Sequence, residues 1–421
     1  MRSRPTLVAL LVLLPCAAQP QALRQVEQRL TIVTLEAPAL TVLANRVAAA
    51  HPEVLEALAT LEGRDANRSA ADRPLFNPEL GVELEDSASD LQAIGISQTL
   101  DIADERSARL SVANYEHEAA RAKLSSARRR VSSELVIGLT EYWTAVGLDE
   151  LAETRIELMK TFTDLTLQRQ QAGDLTQVEL NIANLAASQA EIEHASAESA
   201  IAGADQSLRA VVTSQAPATW PALPDELPEI PAGALNVEPL LMLLPEVRVA
   251  HADAAAAGAR IDLRERERRA KPTVGLTAGT EEDESLVGLT FSMPLNVRNR
   301  FSDEVAVARA DRNAAEQQAE NIENRARSRL LAATERYRLT REAWQSWLET
   351  GQPNLGQQTE LLERLVEAGE LSTTDYLVQL NQTLDTAASA IELRRQLWIA
   401  WVEWLSAAGL IGQWLDIETA A

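Results

Sequence analysis

The side chains with chemistry to offer in this chain are mostly acids. Asp and Glu number 62 against 39 Lys and Arg, a formal net charge of -23. The four histidines, His51, His117, His194 and His251, stand far apart and make no ligand spacing. No nucleophile–base signature, phosphate-binding loop or metal motif occurs. Cys16 is the only cysteine, which excludes internal disulfides and multi-cysteine metal sites. Trp398, Trp401 and Trp404, at i, i+3 and i+6, read as helix packing rather than a ligand cage, and Arg128-Arg129-Arg130 reads as a solvated helix face. No enzyme, cofactor or bound metal is therefore expected. Nucleic acid is excluded as well, because phosphates want a basic patch. Cations or a basic partner suit the acids better, and acids also keep a long chain soluble.

The elements that must position these acids follow a leader. Arg2 and Arg4 precede an apolar stretch from Leu7 to Leu14, and Cys16-Ala17-Ala18 offers small residues at a cleavage site. Residues 1–18 read as a signal peptide whose loss takes the charge from -23 to -25 by removing two arginines. A cysteine after an apolar run also raises lipidation, but Pro15 stands where a small residue is wanted. The apolar run is too short to span a bilayer, which needs about 20 residues. Sixteen aromatics and 17 glycines in 421 residues fit long, closely packed helices better than an all-β protein.

The rest of the chain is written twice. His51-Pro52-Glu53-Val54 returns as Leu244-Pro245-Glu246-Val247, and Pro78-Glu79-Leu80-Gly81 as Pro272-Thr273-Val274-Gly275. Ser97-Gln98-Thr99-Leu100-Asp101 returns as Ser292-Met293-Pro294-Leu295-Asn296, and Ala172-Gly173-Asp174-Leu175-Thr176 as Ala368-Gly369-Glu370-Leu371-Ser372. Four matches in one order imply a duplicated unit. The division is a first repeat at 19–213, a proline-rich crossover at 214–244, a second repeat at 245–409 and a tail at 410–421.

Each repeat reads as helix, two strands, long helix, reversal and returning helix. Period-two alternation predicts strands at about 76–85, 91–100, 272–280 and 285–295. In the first, Leu80, Val82 and Leu84 oppose Glu79, Gly81, Glu83 and Glu85. Long helices follow from about 103 to 170 and from 298 to 367, each on the order of 100 Å long. Glycines near 173 and 369 break them, and shorter helices return. Alternating strands of this length suit a tilted membrane barrel. Four strands cannot close one, and an open sheet edge in lipid leaves backbone groups unsatisfied. Several chains must then share a barrel. The alternative is a periplasmic coiled-coil scaffold or binding protein without a barrel.

With these features the chain resembles the TolC family of outer-membrane efflux proteins. The resemblance rests on the duplication, on Asn77-Pro78-Glu79-Leu80, on Ser97-Gln98-Thr99-Leu100 and on the two glycine reversals. It implies a mainly α protein with a membrane β-barrel: a homotrimer with a twelve-stranded barrel and a long α-helical barrel across the periplasm. The crossover and tail would form an equatorial belt. The implied role is the passive exit duct of a tripartite system in the outer membrane of a Gram-negative bacterium. Its partners would be a periplasmic adaptor protein and an inner-membrane pump driven by protons. The first hairpin favours the heavy-metal branch, hence metal cations or small toxic molecules as cargo.

The resemblance also assigns roles to residues. Adaptor contact falls on Ala172, Gly173, Leu175 and Thr176 of one tip and Ala368, Gly369, Leu371 and Ser372 of the other. Alanine stands where the family has valine, and Asp174 or Glu370 is inserted between glycine and leucine. Asp375 matches an aspartate ring in the family's closed tunnel mouth, with Glu179 its counterpart in the first repeat. Six carboxylates around a three-fold axis would attract cations.

Overall fold

The computed structural model describes residues 37–86, 90–213, 216–231, 237–281, 284–368 and 370–417. Residues 1–18 with Cys16, expected to be a signal peptide, lie outside these residues, as do Gly369 and the end of the tail.

Helices α1 (Pro38–Ala50) and α2 (Pro52–Ala71) meet at His51, whose extended backbone lets Pro52 open the second helix. Proline is tolerated there because the first N–H of a helix has no intrahelical acceptor. The ring of His51 accepts a hydrogen bond from the Glu53 N–H at 3.3 Å. Strands β1 (Glu79–Asp86) and β2 (Asp90–Thr99) follow, then α3 (Glu105–Ala172) and α4 (Gln177–Val212). A short helix α5 (Val237–Leu241) ends the crossover, and α6 (Pro245–Glu267), β3 (Thr273–Glu281) and β4 (Glu284–Ser292) follow. The second repeat continues through α7 (Ser302–Ser346), α8 (Gln352–Glu367) and α9 (Thr373–Ala408), and α10 (Ile411–Trp414) closes the chain.

The α3 helix has 68 residues, about 100 Å at 1.5 Å per residue. Its counterpart is not continuous. Between α7 and α8 lies a π-helical turn, Trp347–Gly351. Gly351 and Pro353 explain the break: glycine weakens a helix interior, and proline removes an N–H donor and crowds the carbonyl four residues back. The uninterrupted helix expected over 298–367 is corrected accordingly.

The four strands form one antiparallel sheet in the order β1-β2-β3-β4. Strand β1 starts at Glu79, directly after Pro78, and β4 stops at Ser292, two residues before Pro294; neither proline can donate to the ladder. Cross-strand register places Leu80, Ile96, Leu276 and Leu289 in one row and Val82, Ile94, Ala278 and Val287 in another. Paired residues share a face, so these rows form one apolar surface. It is exposed: Leu289 is 83% and Leu80 72% accessible. The opposite face carries Gly81, Gly95, Thr277 and Gly288 in one row and Glu79, Ser97, Gly275 and Thr290 in the next. Among the described residues no strand pairs with the free edge of β1 or β4.

Both strand-to-helix junctions turn through a left-handed residue, Asp104 (φ 55°) and Phe301 (φ 54°). The Asp101 carboxylate caps α3 by accepting from the N–H groups of Glu105 and Arg106, each at 2.9 Å. Partial burial raises the pKa of Asp101, but those two donors, with Lys271 and Arg109 nearby, hold it below the ordinary range.

The main core gathers where α3, α4, α7, α9, α10 and the crossover meet. Trp398, Trp401, Trp404 and Trp414 pack there against Leu135, Leu139 and Tyr337, with Trp401 and Trp404 stacked at 5.0 Å. The tyrosine hydroxyl donates to the Pro228 carbonyl at 2.6 Å, which ties the crossover to the helices. Arg129 departs from the expected solvated face. It lies half-buried and donates to the Ser406 carbonyl at 2.8 Å, at the negative end of the α9 dipole. Burial pushes its pKa down to about 10, so it stays charged at neutral pH. Arg130 remains exposed and pairs with Glu53. No described helix is long and apolar enough to cross a membrane.

Candidate functional site

The two hairpin tips are built to one plan. In the first, α3 ends at Ala172 and Gly173 takes φ 88°, a conformation that costs an L side chain about 1–2 kcal/mol. The Gly173 N–H reaches the Gln170 carbonyl at 3.0 Å and the Asp174 N–H the Arg169 carbonyl at 2.9 Å, which satisfies carbonyls left open at the helix end. In the second tip, the Glu370 N–H donates to the Leu365 carbonyl at 3.0 Å. Gly369 itself is outside the described residues.

The returning helices begin with matching caps. Thr176 accepts from the Glu179 N–H at 3.3 Å, while the Glu179 carboxylate accepts from the Thr176 N–H at 2.7 Å and from its hydroxyl at 2.8 Å. Ser372 accepts from the Asp375 N–H at 3.1 Å and donates its hydroxyl to the Asp375 carboxylate at 2.7 Å. The first arrangement is a reciprocal capping box. The Thr176 N–H and then the hydroxyl hold the Glu179 carboxyl below its ordinary pKa. Both carboxylates thus have a structural role that sequence reading passed over, although Thr176-x-x-Glu179 carries its signature.

The tips lie side by side. Leu175, Leu371 and Ser372 line one narrow crevice with Phe162, Leu165 and Tyr376. The rings of Phe162 and Tyr376 stand 4.8 Å apart, and Leu371 packs on the cluster that holds Leu362, Leu377 and Leu380. Ala172, Gly173, Thr176, Ala368 and Ser372 remain exposed, as does Asp375, whereas Glu179 is half-buried. Leucines therefore join the tips to each other, and small or polar residues face outward.

Comparison with known proteins agrees with this architecture. The chain superposes on the outer-membrane channel OprN with a TM-score of 0.75, 16% identity and coverage of 90% of this chain and 91% of that one. It superposes on the CmeC outer-membrane channel of Campylobacter jejuni with a TM-score of 0.74, 13% identity and coverage of 92% and 88%. In sequence it is 28% identical over 301 residues to the nickel-cobalt-cadmium resistance protein NccC of Alcaligenes xylosoxydans xylosoxydans. That match spans 66% of each chain. No protein-family model matches the sequence. The fold is that of outer-membrane channels, the TolC-family fold.

Proposed function

We propose that this chain is one of three identical protomers of an outer-membrane exit duct. The observation that carries the proposal is the sheet: among the described residues it has four strands, two free edges and one exposed face with a broad apolar band, Leu80, Val82, Ile94, Ile96, Leu276, Val287 and Leu289. Such a sheet has no stable place in water as an apolar surface or in lipid as an open edge. Three copies joined edge to edge give twelve strands, a closed barrel that removes both problems. The small and polar face then lines the lumen. The long helices extend the passage away from the membrane, as the fold of the channels supports.

The duct is passive in this reading. An inner-membrane pump driven by protons supplies the work, and a periplasmic adaptor engages the exposed residues of the tips, Ala172, Gly173, Thr176, Ala368 and Ser372, together with Gly369. Leu175 and Leu371 hold the two tips in register for that contact. Glu179 and Asp375 form the acidic rings of the tunnel mouth. The name of the relative NccC favours divalent metal cations as cargo over other small toxic molecules.

Mass measurement of the detergent-extracted protein tests the assembly. The expected particle has three times the mature chain mass and resides in the outer-membrane fraction. A stable lipid-embedded monomer, or a protein found only in the soluble periplasm, excludes the duct and favours a coiled-coil scaffold.

A further inference from the structure

We infer that Asp149, Glu153 and His194 form a binding site for a divalent transition-metal cation between the helices of the first hairpin. Asp149 and Glu153 lie four residues apart, hence on one face of α3, and His194 faces them from α4. The imidazole Nε2 lies 3.5 Å from Asp149 Oδ1 and 3.9 Å from Glu153 Oε1. One ligand atom from each of the three falls within 4.8 Å of the others. Bonds of 2.0–2.2 Å, as zinc makes to such ligands, put neighbouring ligand atoms of a tetrahedron about 3.4 Å apart. Side-chain displacements of under about 1 Å would therefore close the set around an ion.

Three features separate this cluster from an ordinary surface ion pair. Asp149 Oδ1 is shielded from solvent and accepts no hydrogen bond among the described residues, a costly state for a carboxylate oxygen. The separations from the imidazole exceed the 2.7–2.9 Å of a charge-assisted hydrogen bond, so the histidine does not satisfy that oxygen. Arg155, two residues past Glu153, is already committed to Glu193 and Asp385 and is not available to neutralise the pair. A divalent ion cancels both carboxylate charges and gives the buried oxygen its partner. Among the described residues the other histidines lack this arrangement. His117 has Asp65 alone at 3.6 Å, His251 has Glu323 alone at 3.6 Å, and His51 caps a helix.

The donor set names the class of ion. One imidazole and two carboxylates suit zinc, cobalt or nickel better than soft monovalent copper, which wants thiolate or thioether. Three protein ligands leave at least one position for water, as in open zinc sites. Antiparallel geometry places the cluster well above the tip: 24 residues separate Asp149 from Gly173, about 36 Å of helix. The site is thus distinct from the acidic residues of the tunnel mouth.

Cobalt(II) titration of the detergent-solubilised full chain, followed by visible absorption and by metal content after gel filtration, tests the site. The expected result is one cobalt per chain, displaced by zinc. His194→Gln and Asp149→Asn should each weaken binding at least tenfold, and His251→Gln should leave it unchanged. Glu153→Gln, at a side chain 67% exposed, should weaken it several-fold and serves as the readout should either other variant lose helix content by circular dichroism. A wild-type chain that retains no cobalt overturns the inference, as do folded variants at these positions that bind like wild type. Because the readout is a binding equilibrium on the chain itself, it is independent of trimer mass and of export.

Discussion

At the scale of single residues, Glu179 and Asp375 are capping acids that the proposed duct would use a second time, at its mouth. Each begins a returning helix, where a negative charge is favoured by the dipole, and each bonds the hydroxyl of its own cap residue. The charge remains free to act on ions, because the cap uses the carboxylate without neutralising it. Asp375→Asn should reduce the cation selectivity of single channels in planar bilayers, since a three-fold ring acts in a narrow space where screening over about 8–10 Å is incomplete. Glu179→Gln should do less, and both variants should assemble. Unchanged selectivity in the double variant with normal trimer yield returns both residues to a capping role alone.

The cap also fixes a sign for pH. The folded Glu179 pKa lies below its unfolded value, so its contribution is fully present above the unfolded pKa and disappears as pH falls through the folded one. The first tip should therefore keep its charge and its protected amides through mild acid and lose both only as pH falls below the ordinary carboxyl range. Amide hydrogen exchange at Glu179 across pH 3 to 7, corrected for intrinsic rates, measures this. Deprotection already complete at pH 6 contradicts it. Sequence alone located this acid but not its bonds, since a family likeness drew attention to the pore and away from the local cap signature. The Arg129 contact was illegible for another reason. Three consecutive arginines point around a helix, and only the arrival of Ser406 from 277 residues away decides which one is covered.

At the scale of elements, the strands were the most legible part of the chain, because period-two alternation survives in every one of them. Alternation within one strand leaves open how the faces line up across the sheet. The register aligns Leu80, Val82, Ile94, Ile96, Leu276, Val287 and Leu289 on one face, which in the proposed barrel would be the lipid side. Val82→Arg or Leu289→Arg should cost about 2–4 kcal/mol near the bilayer midplane and reduce the yield of heat-resistant oligomer. Gly81→Arg should be better tolerated, because a side chain begun at Gly81 meets nothing within 4 Å. Equal yields from both faces would sink the assignment. Gly173→Ala tests the first reversal: at φ 88° the substitution should cost about 1–2 kcal/mol locally and speed exchange of the Asp174 amide without changing oligomer mass. Unchanged exchange would mean that the turn relaxes freely. The break in the second long helix was less legible. Gly351 and Pro353 announce it, but periodicity runs through both, and only backbone geometry shows the π-helical turn at Trp347–Gly351. Likewise Asp149 and Glu153, two of the three proposed ligands, stand at helical spacing in the sequence, while His194 lies 41 residues past Glu153 and joins them only through the hairpin.

At the scale of the whole molecule, the proposed trimer raises a question that no single chain answers: how three strongly acidic chains would hold together. With 62 acids and 39 bases per chain, assembly brings like charges close, and self-repulsion opposes it. The ion pairs within one protomer are mostly exposed, where each contributes about 0–1 kcal/mol. Screening them loses little. The burial of sheet edges and helix flanks that would favour association in the proposed trimer is not electrostatic and does not weaken with simple salt. The net effect of salt should therefore be stabilising. As ionic strength rises from about 0.01 M to 0.15 M the screening length falls from about 30 Å to 8 Å, and repulsion between protomers fades over most of the tunnel wall. The temperature at which the oligomer dissociates in detergent should increase over that range, with sodium chloride alone and no divalent ion present. A dissociation temperature that falls instead would mean that attractive charge pairs across the protomer boundary outweigh the repulsion. It would then be the acids facing a neighbour's bases, rather than the apolar sheet and helix flanks, that hold the duct closed.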